Sequence, residues 1–240
     1  MDKKINVLEI ILAMHSSNRT VVNFCKGINK QFFDIKVLAY GGIGGKEKDL
    51  ADIGVELVIA NWDIEIITDA IKKWQIDAIH FVGDGHNTPL QFEIFRRARL
   101  INPNIINLET NYFGRYDKKS FPLIDCSLQV SKMMLNERYI KEVGYFDFDK
   151  TKVVYLLIDC GGWDKIVISD EEITAYKNKL GIKEGDFVIG KLGRPAVEKW
   201  SDLLLDMMPY LVKLVPNIKF IVQEMPDSRK KRVLRSKYKN

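Results

Sequence analysis

Cysteine is scarce in this chain of 240 residues: Cys25, Cys126 and Cys160 are the only three, far apart and without a Cys-x-x-Cys pair. That excludes a disulfide framework and offers no zinc-site spacing, so buried or semi-buried apolar roles are expected. No apolar run approaches the roughly 20 residues that a membrane-crossing helix needs. The opening Met-Asp-Lys-Lys-Ile leads directly into strand-like sequence rather than a secretion signal. The expectation is a soluble, cytoplasmic protein, peripheral to a membrane at most. Charge of one sign is also lacking in the body. Seven Lys or Arg against one Asp lie between Asp227 and Asn240, more than the whole chain's net charge of +5, so the remainder is close to neutral. Such a basic tail is usually a solvated end. It can make a weak contact with anionic headgroups, and nucleic acid is not an expected partner.

What is present is an alternation of strand-like and helix-like segments in a chain long enough for more than one core. Ile5 to Met14 is an apolar run with one Glu, read as the first strand of a parallel sheet. Ser17 or Asn18 can cap a following helix that carries Val21, Val22, Cys25 and Ile28 on one face. Phe33 to Tyr40 and Val55 to Ala60 read as strands and Ile64 to Trp74 as a helix. Gly41 to Gly45 follow the second strand and open no helix, so a flexible loop is expected and not a dinucleotide fingerprint. Asp77-Ala-Ile-His80-Phe-Val-Gly83 reads as a fourth strand, with His80 a hydrogen-bonded core residue and His86 in the turn beyond. Gln91 to Arg99 is then a helix, Ile105 to Leu108 a strand, Cys126 to Ser131 a strand, Lys132 to Glu142 a helix and Val153 to Ile158 a strand. Gly161-Gly162 fits a hinge, and Glu171 to Leu180 a charged helix.

The most informative stretch is Phe187-Val-Ile-Gly-Lys-Leu-Gly193-Arg194-Pro-Ala-Val-Glu-Lys199-Trp200. A short apolar strand is broken at Gly193-Arg194-Pro195. From Glu198 the residues Trp200, Leu203, Leu204, Met207, Met208, Leu211, Leu214 and Val215 recur at helical spacing, and Asn217 to Gln223 reads as a second strand. Two cations beside free backbone N–H groups at the positive end of a helix would suit a diphosphate.

Gly-Arg-x-x-x-Glu-Lys after a strand, then Trp-Ser-Asp-Leu-Leu-Leu, resembles the opening of the second domain of group 1 glycosyltransferases, which have the GT-B fold. Asp77-x-Ile-His80 and Glu109-Thr-Asn111-x-Phe-Gly114 are similar to the same family. The resemblance implies an α/β, GT-B-like chain: a Rossmann-like parallel-sheet domain over residues 1–165, the first βαβ unit of a truncated second domain over 166–226, and a basic tail over 227–240. It implies a nucleotide-sugar donor whose diphosphate is held by Gly193, Arg194 and Lys199. Ser16, Ser17, Asn18, Arg19, His86 and Asn111 are then the candidates for acceptor or sugar contact, the acceptor being a glycan, a lipid or a small molecule. Transfer would retain the anomeric configuration, with no metal and no cofactor beyond the nucleotide-diphosphate sugar as co-substrate, and no Asp-x-Asp motif suited to a metal is read here. The sequence also departs from the family. The loop after the first strand is not Gly-rich, and Thr110 or Asn111 stands where many members carry a His, so no catalytic residue is assigned. After Met225 only the basic tail remains, and the family's pair of Glu residues separated by seven others is missing. A truncated form that transfers sugar poorly by itself is expected, or alternatively a non-catalytic nucleotide- or sugar-binding module.

Overall fold

Strands that carry apolar side chains on both faces need helices on both sides, and that pattern dictates a parallel sheet. The computed structural model describes residues 3–14, 19–83, 89–143, 147, 149–158, 160, 166–193, 196–200, 202–222 and 227. The chain falls into two compact units, Met1–Gly161 and Gly162–Asn240. In the first, β1 (Ile5–Ile11), α1 (Arg19–Gly27), β2 (Phe33–Ala39), α2 (Lys48–Ala51), β3 (Glu56–Ile59), α3 (Ile64–Lys73), β4 (Ala78–Gly83), α4 (Pro89–Ile101) and β5 (Ile106–Asn111) follow in turn. Then come β6 (Cys126–Gln129), α5 (Lys132–Met134), α6 (Ile140–Val143) and β7 (Thr151–Val153). The strands form one sheet in the order β3-β2-β1-β4-β5-β6-β7, every pair parallel. Strand order reverses between β1 and β4, where sheets of this kind open a crevice beyond their carboxyl ends.

Side-chain alternation along each strand builds two cores. Leu8 and Ile10 of β1 with Ile79 and Phe81 of β4 pack beneath Ile67 and Ile71 of α3 and Ile94 and Phe95 of α4. On the opposite face Val7, Ile11, Ala78 and Val82 meet Val21, Val22 and Cys25 of α1. Asp63 caps α3 by accepting from the Glu65 amide at 2.8 Å. The Gly41–Gly45 loop is anchored at Gly44, while Ile43 is exposed. Glu47 accepts from the Gly44 and Gly45 amides at 2.6 and 3.1 Å, and a Cβ at Gly44 would overlap the Met14 backbone.

The second unit holds α7 (Asp170–Lys179), β8 (Phe187–Lys191), α8 (Asp202–Leu214) and β9 (Ile218–Val222). Ser169 and Glu172 close a reciprocal capping box at the start of α7. β8 and β9 pair in parallel as a two-stranded sheet. Among the described residues of this unit only Trp200 and Ile218 are buried hydrophobics.

Four expected boundaries moved, each for a physical reason. β5 runs on to Asn111 because the polar side chains Glu109, Thr110 and Asn111 all find buried partners. The last strand stops at Val153. Its neighbour β6 ends at Gln129, whose carbonyl takes the Val154 amide, and residues 154–158 have no further ladder to join. The helix expected from Glu198 begins at Asp202, after a 3₁₀ turn at Val197–Lys199. Within the stretch Lys132 to Glu142 a π-helical segment, Leu135–Tyr139, separates α5 from α6 and places both Leu135 and Tyr139 against Phe121. No helix among the described residues is long and apolar enough to cross a membrane. The tail from 228 to 240 lies outside the described residues.

Candidate functional site

Two carboxylates sit inside the first unit's sheet, on opposite faces, and they have different fates. Glu9 of β1 shares a face with Val7 and Ile11, so it points toward α1, one strand from His80 of β4, its register partner. His80 Nδ1 lies 2.7 Å from Glu9 Oε2, and Nε2 lies 2.7 Å from Thr110 Oγ1 of β5. Burial alone would lower the imidazole's pKa. The Glu9 charge and hydrogen bond outweigh it and raise it above the ordinary 6.5, which favours the imidazolium. In that form both ring nitrogens donate and Thr110 accepts; with a neutral ring Thr110 donates to Nε2 and keeps its lone pairs, so in either form its hydroxyl has capacity left for another partner. As carboxylate and imidazolium the pair is internally neutral.

This network forms the polar floor of a cavity of about 100 Å³. Its walls are apolar: Val21 and Phe24 from α1, Val82, Leu128, and the non-ladder segment Val154–Leu157 along one side. Phe24 meets the His80 ring edge-on, with centroids 5.6 Å apart. Thr20 Oγ1 and the Tyr112 hydroxyl join at 3.2 Å at the wall. Asn23 Nδ2 donates to the Leu157 carbonyl at 3.2 Å and holds the segment in place.

Glu109 occupies the other face and is sealed. Ser127 Oγ donates to it at 2.6 Å and Gln91 Nε2 at 3.0 Å, while burial pushes its carboxyl above the usual range. It lines no part of the cavity described here.

In the second unit, Lys191 ends β8 with its ammonium 5.9 Å from the centre of the buried Trp200 ring. Gly193 is half-buried beyond it, and Lys199 is exposed on the 3₁₀ turn that precedes α8. Lys199 therefore approaches the start of α8 without belonging to it.

No protein-family profile matches the sequence, and no curated protein does. Among solved structures the chain is similar to a glycosyltransferase from Rickettsia africae ESF-5, with a TM-score of 0.63 and 15% identity over 93% of this chain and 69% of that one. It is also similar to a UDP-N-acetylglucosamine 2-epimerase, with a TM-score of 0.57 and 11% identity over 93% of this chain and 69% of that one. The fold is GT-B-like. Identities this low carry the architecture and nothing finer.

On the GT-B-like chain the predicted site residues fall into three groups. Ser16, Ser17, Asn18, His86 and Arg194 lie outside the described residues. Arg19 is exposed at the first position of α1, and Gly193 and Lys199 sit as given above. Asn111 is fully buried. Its amide donates to the Arg115 carbonyl at 2.5 Å, and its oxygen accepts from the Phe113 and Arg115 amides at 3.2 and 3.3 Å, so it shapes the turn after β5. The Asp-x-Asp spacing does occur, at Asp147 and Asp149, where the Asp147 carboxylate accepts from the Asp149 and Lys150 amides, each at 3.0 Å. Glu9, Thr20 and Tyr112 were not singled out from sequence. The available signal was Glu9, a lone acid inside an apolar strand, which demands a buried partner. His80 was the only strand histidine that could supply one.

Proposed function

We propose that this chain is part of a nucleotide-sugar-dependent glycosyltransferase. The observation that supports it best is the β8–loop–α8–β9 unit on a GT-B-like fold, with Gly193 between two lysines, Lys191 and Lys199, at the carboxyl end of a parallel strand. Cations and backbone N–H groups at such a place suit a diphosphate. In this reading Arg194 and Lys199 hold the donor diphosphate, and the acceptor binds in the first unit. The bond from the sugar's anomeric carbon to the diphosphate oxygen breaks and the bond to the acceptor oxygen forms. The acceptor's proton leaves with the nucleoside diphosphate. Stabilising the departing negative charge is the chemical work, and fixed cations do it without a metal. In this reading transfer retains the anomeric configuration.

The test is binding and turnover with a panel of nucleotide sugars, scored by calorimetry and by nucleoside diphosphate release. Arg194→Ala and Lys199→Ala should each weaken donor affinity roughly tenfold to a hundredfold, the weight of a charge-assisted hydrogen bond. Unchanged affinity in both would contradict the reading. The two-stranded sheet of the second unit favours a second reading, a non-catalytic module that binds donor without transferring sugar. Saturable binding with no diphosphate release, whatever acceptor is supplied, selects it.

A further inference from the structure

The cavity over the Glu9–His80–Thr110 network has a chemistry that the donor loop cannot share. We propose that it binds the apolar, hydroxyl-bearing end of an uncharged small molecule, an aromatic or short branched alcohol, whose hydroxyl docks on Thr110. Its identification as the acceptor rests on the transferase reading, whereas its ligand class does not.

Three observations carry this. Glu9 and His80 lie 2.7 Å apart and satisfy each other, so a ligand carboxylate, phosphate or ammonium would be desolvated there without a free counter-charge. The walls are apolar, with Phe24, Val82 and Leu128 facing the exposed side chains of Tyr155 and Leu156 across the cavity. The size is also selective. A dry cavity of about 150 Å³ accepts benzene. At about 100 Å³ and open on one side, this cavity seats one ring or a short branched group, and the rest of the ligand lies along Val154–Leu157. Thr110 is the one group on the floor that can both give and take. Its bond to His80 Nε2 at 2.7 Å uses one of its hydrogen-bonding positions and leaves the others for a ligand hydroxyl. His80 and Glu9 act through Thr110 and are positioning residues.

The experiment is amide NMR on the full chain, titrated with benzyl alcohol and, separately, with its charged counterparts benzoate and benzylamine. Saturable shifts at residues 20–24, 80–82, 110–112 and 154–157 with benzyl alcohol, and at least tenfold weaker binding of the charged pair, are expected. Tyr155→Ala, on an exposed side chain that leaves folding intact, should weaken benzyl alcohol about threefold or more. Thr110→Val keeps the shape and should weaken it about threefold to tenfold, the range of one neutral hydrogen bond. Equal binding of benzoate, or shifts that miss these segments, overturns the proposal. Binding mapped here with no diphosphate release from any nucleotide sugar upholds the site while removing the transferase reading. Sugar transfer whose acceptor KM is untouched by both variants overturns the site and leaves the transferase reading standing.

Discussion

Both units contain the same device, a strand, a loop and a helix returning to a parallel strand, yet they bury very different amounts of themselves. In the first, β1–α1–β2 sits inside a seven-stranded sheet, and Val21, Val22 and Cys25 of α1 are all buried. In the second, β8–α8–β9 is a two-stranded sheet, and Leu203, Met207, Tyr210, Val212 and Leu214 of α8 are exposed. Pro209 also interrupts the hydrogen-bond ladder of α8. A parallel pair is stable only when its faces are covered, so the same sequence motif forms a rigid platform in one context and a marginal one in the other.

The largest effect should come from cutting into the better-buried unit. Leu8→Ala, at a fully buried position, is expected to cost about 2–5 kcal/mol, while Leu203→Ala should fall within about 0.5 kcal/mol of the parent. Chemical denaturation of both variants checks this, and equal losses would erase the contrast between the units.

The buried ion pair sharpens it further. Glu9→Gln leaves the imidazole with a neutral partner and is expected to cost about 1–3 kcal/mol. The pH dependence follows from His80, whose ionisable neighbour in the network is Glu9, with Cys25 and Tyr112 also sensing that charge. The folded pKa of His80 lies above the ordinary 6.5, so its stabilisation is complete below that value and is lost as pH rises through the folded pKa. Denaturation from pH 5 to 9 should show this fall in the parent and not in Glu9→Gln.

A smaller effect separates the cysteines. Burial, aided by the Glu9 charge, pushes the Cys25 thiol up to about 12, whereas Cys160 is exposed. Under native conditions a thiol reagent should label Cys160 within minutes and leave Cys25 intact. As pH rises from 9 toward 12 the unfolded thiol ionises first, so Cys25 also lowers stability there.

The sheet was legible because its strands are apolar on both faces, and most strands and helices lie where periodicity puts them. The polar residues inside strands were harder to place. Glu109 and Thr110 look like the end of a strand, yet each finds a partner supplied by a distant segment: Ser127 and Gln91 for Glu109, His80 for Thr110. Those pairings are set by sheet order, which no local pattern contains. The cavity was hidden for the same reason, since Glu9, His80 and Thr110 come together only because β1, β4 and β5 are neighbours. Segment 154–158 misled in the opposite sense. It is apolar enough for a strand, but among the described residues it adds no pairing beyond the Val154 amide on Gln129.

The central claim is a division of labour, with a neutral alcohol pocket in the first unit and an anion site in the second. Amide NMR of the full chain titrated with UDP, GDP and ADP tests it most directly. The account predicts that at least one nucleotide shifts the amides around 191–202 and leaves those at 80–82 and 110–112 in place. Nucleotide shifts centred on His80 and Thr110, with residues 191–202 silent, would contradict it.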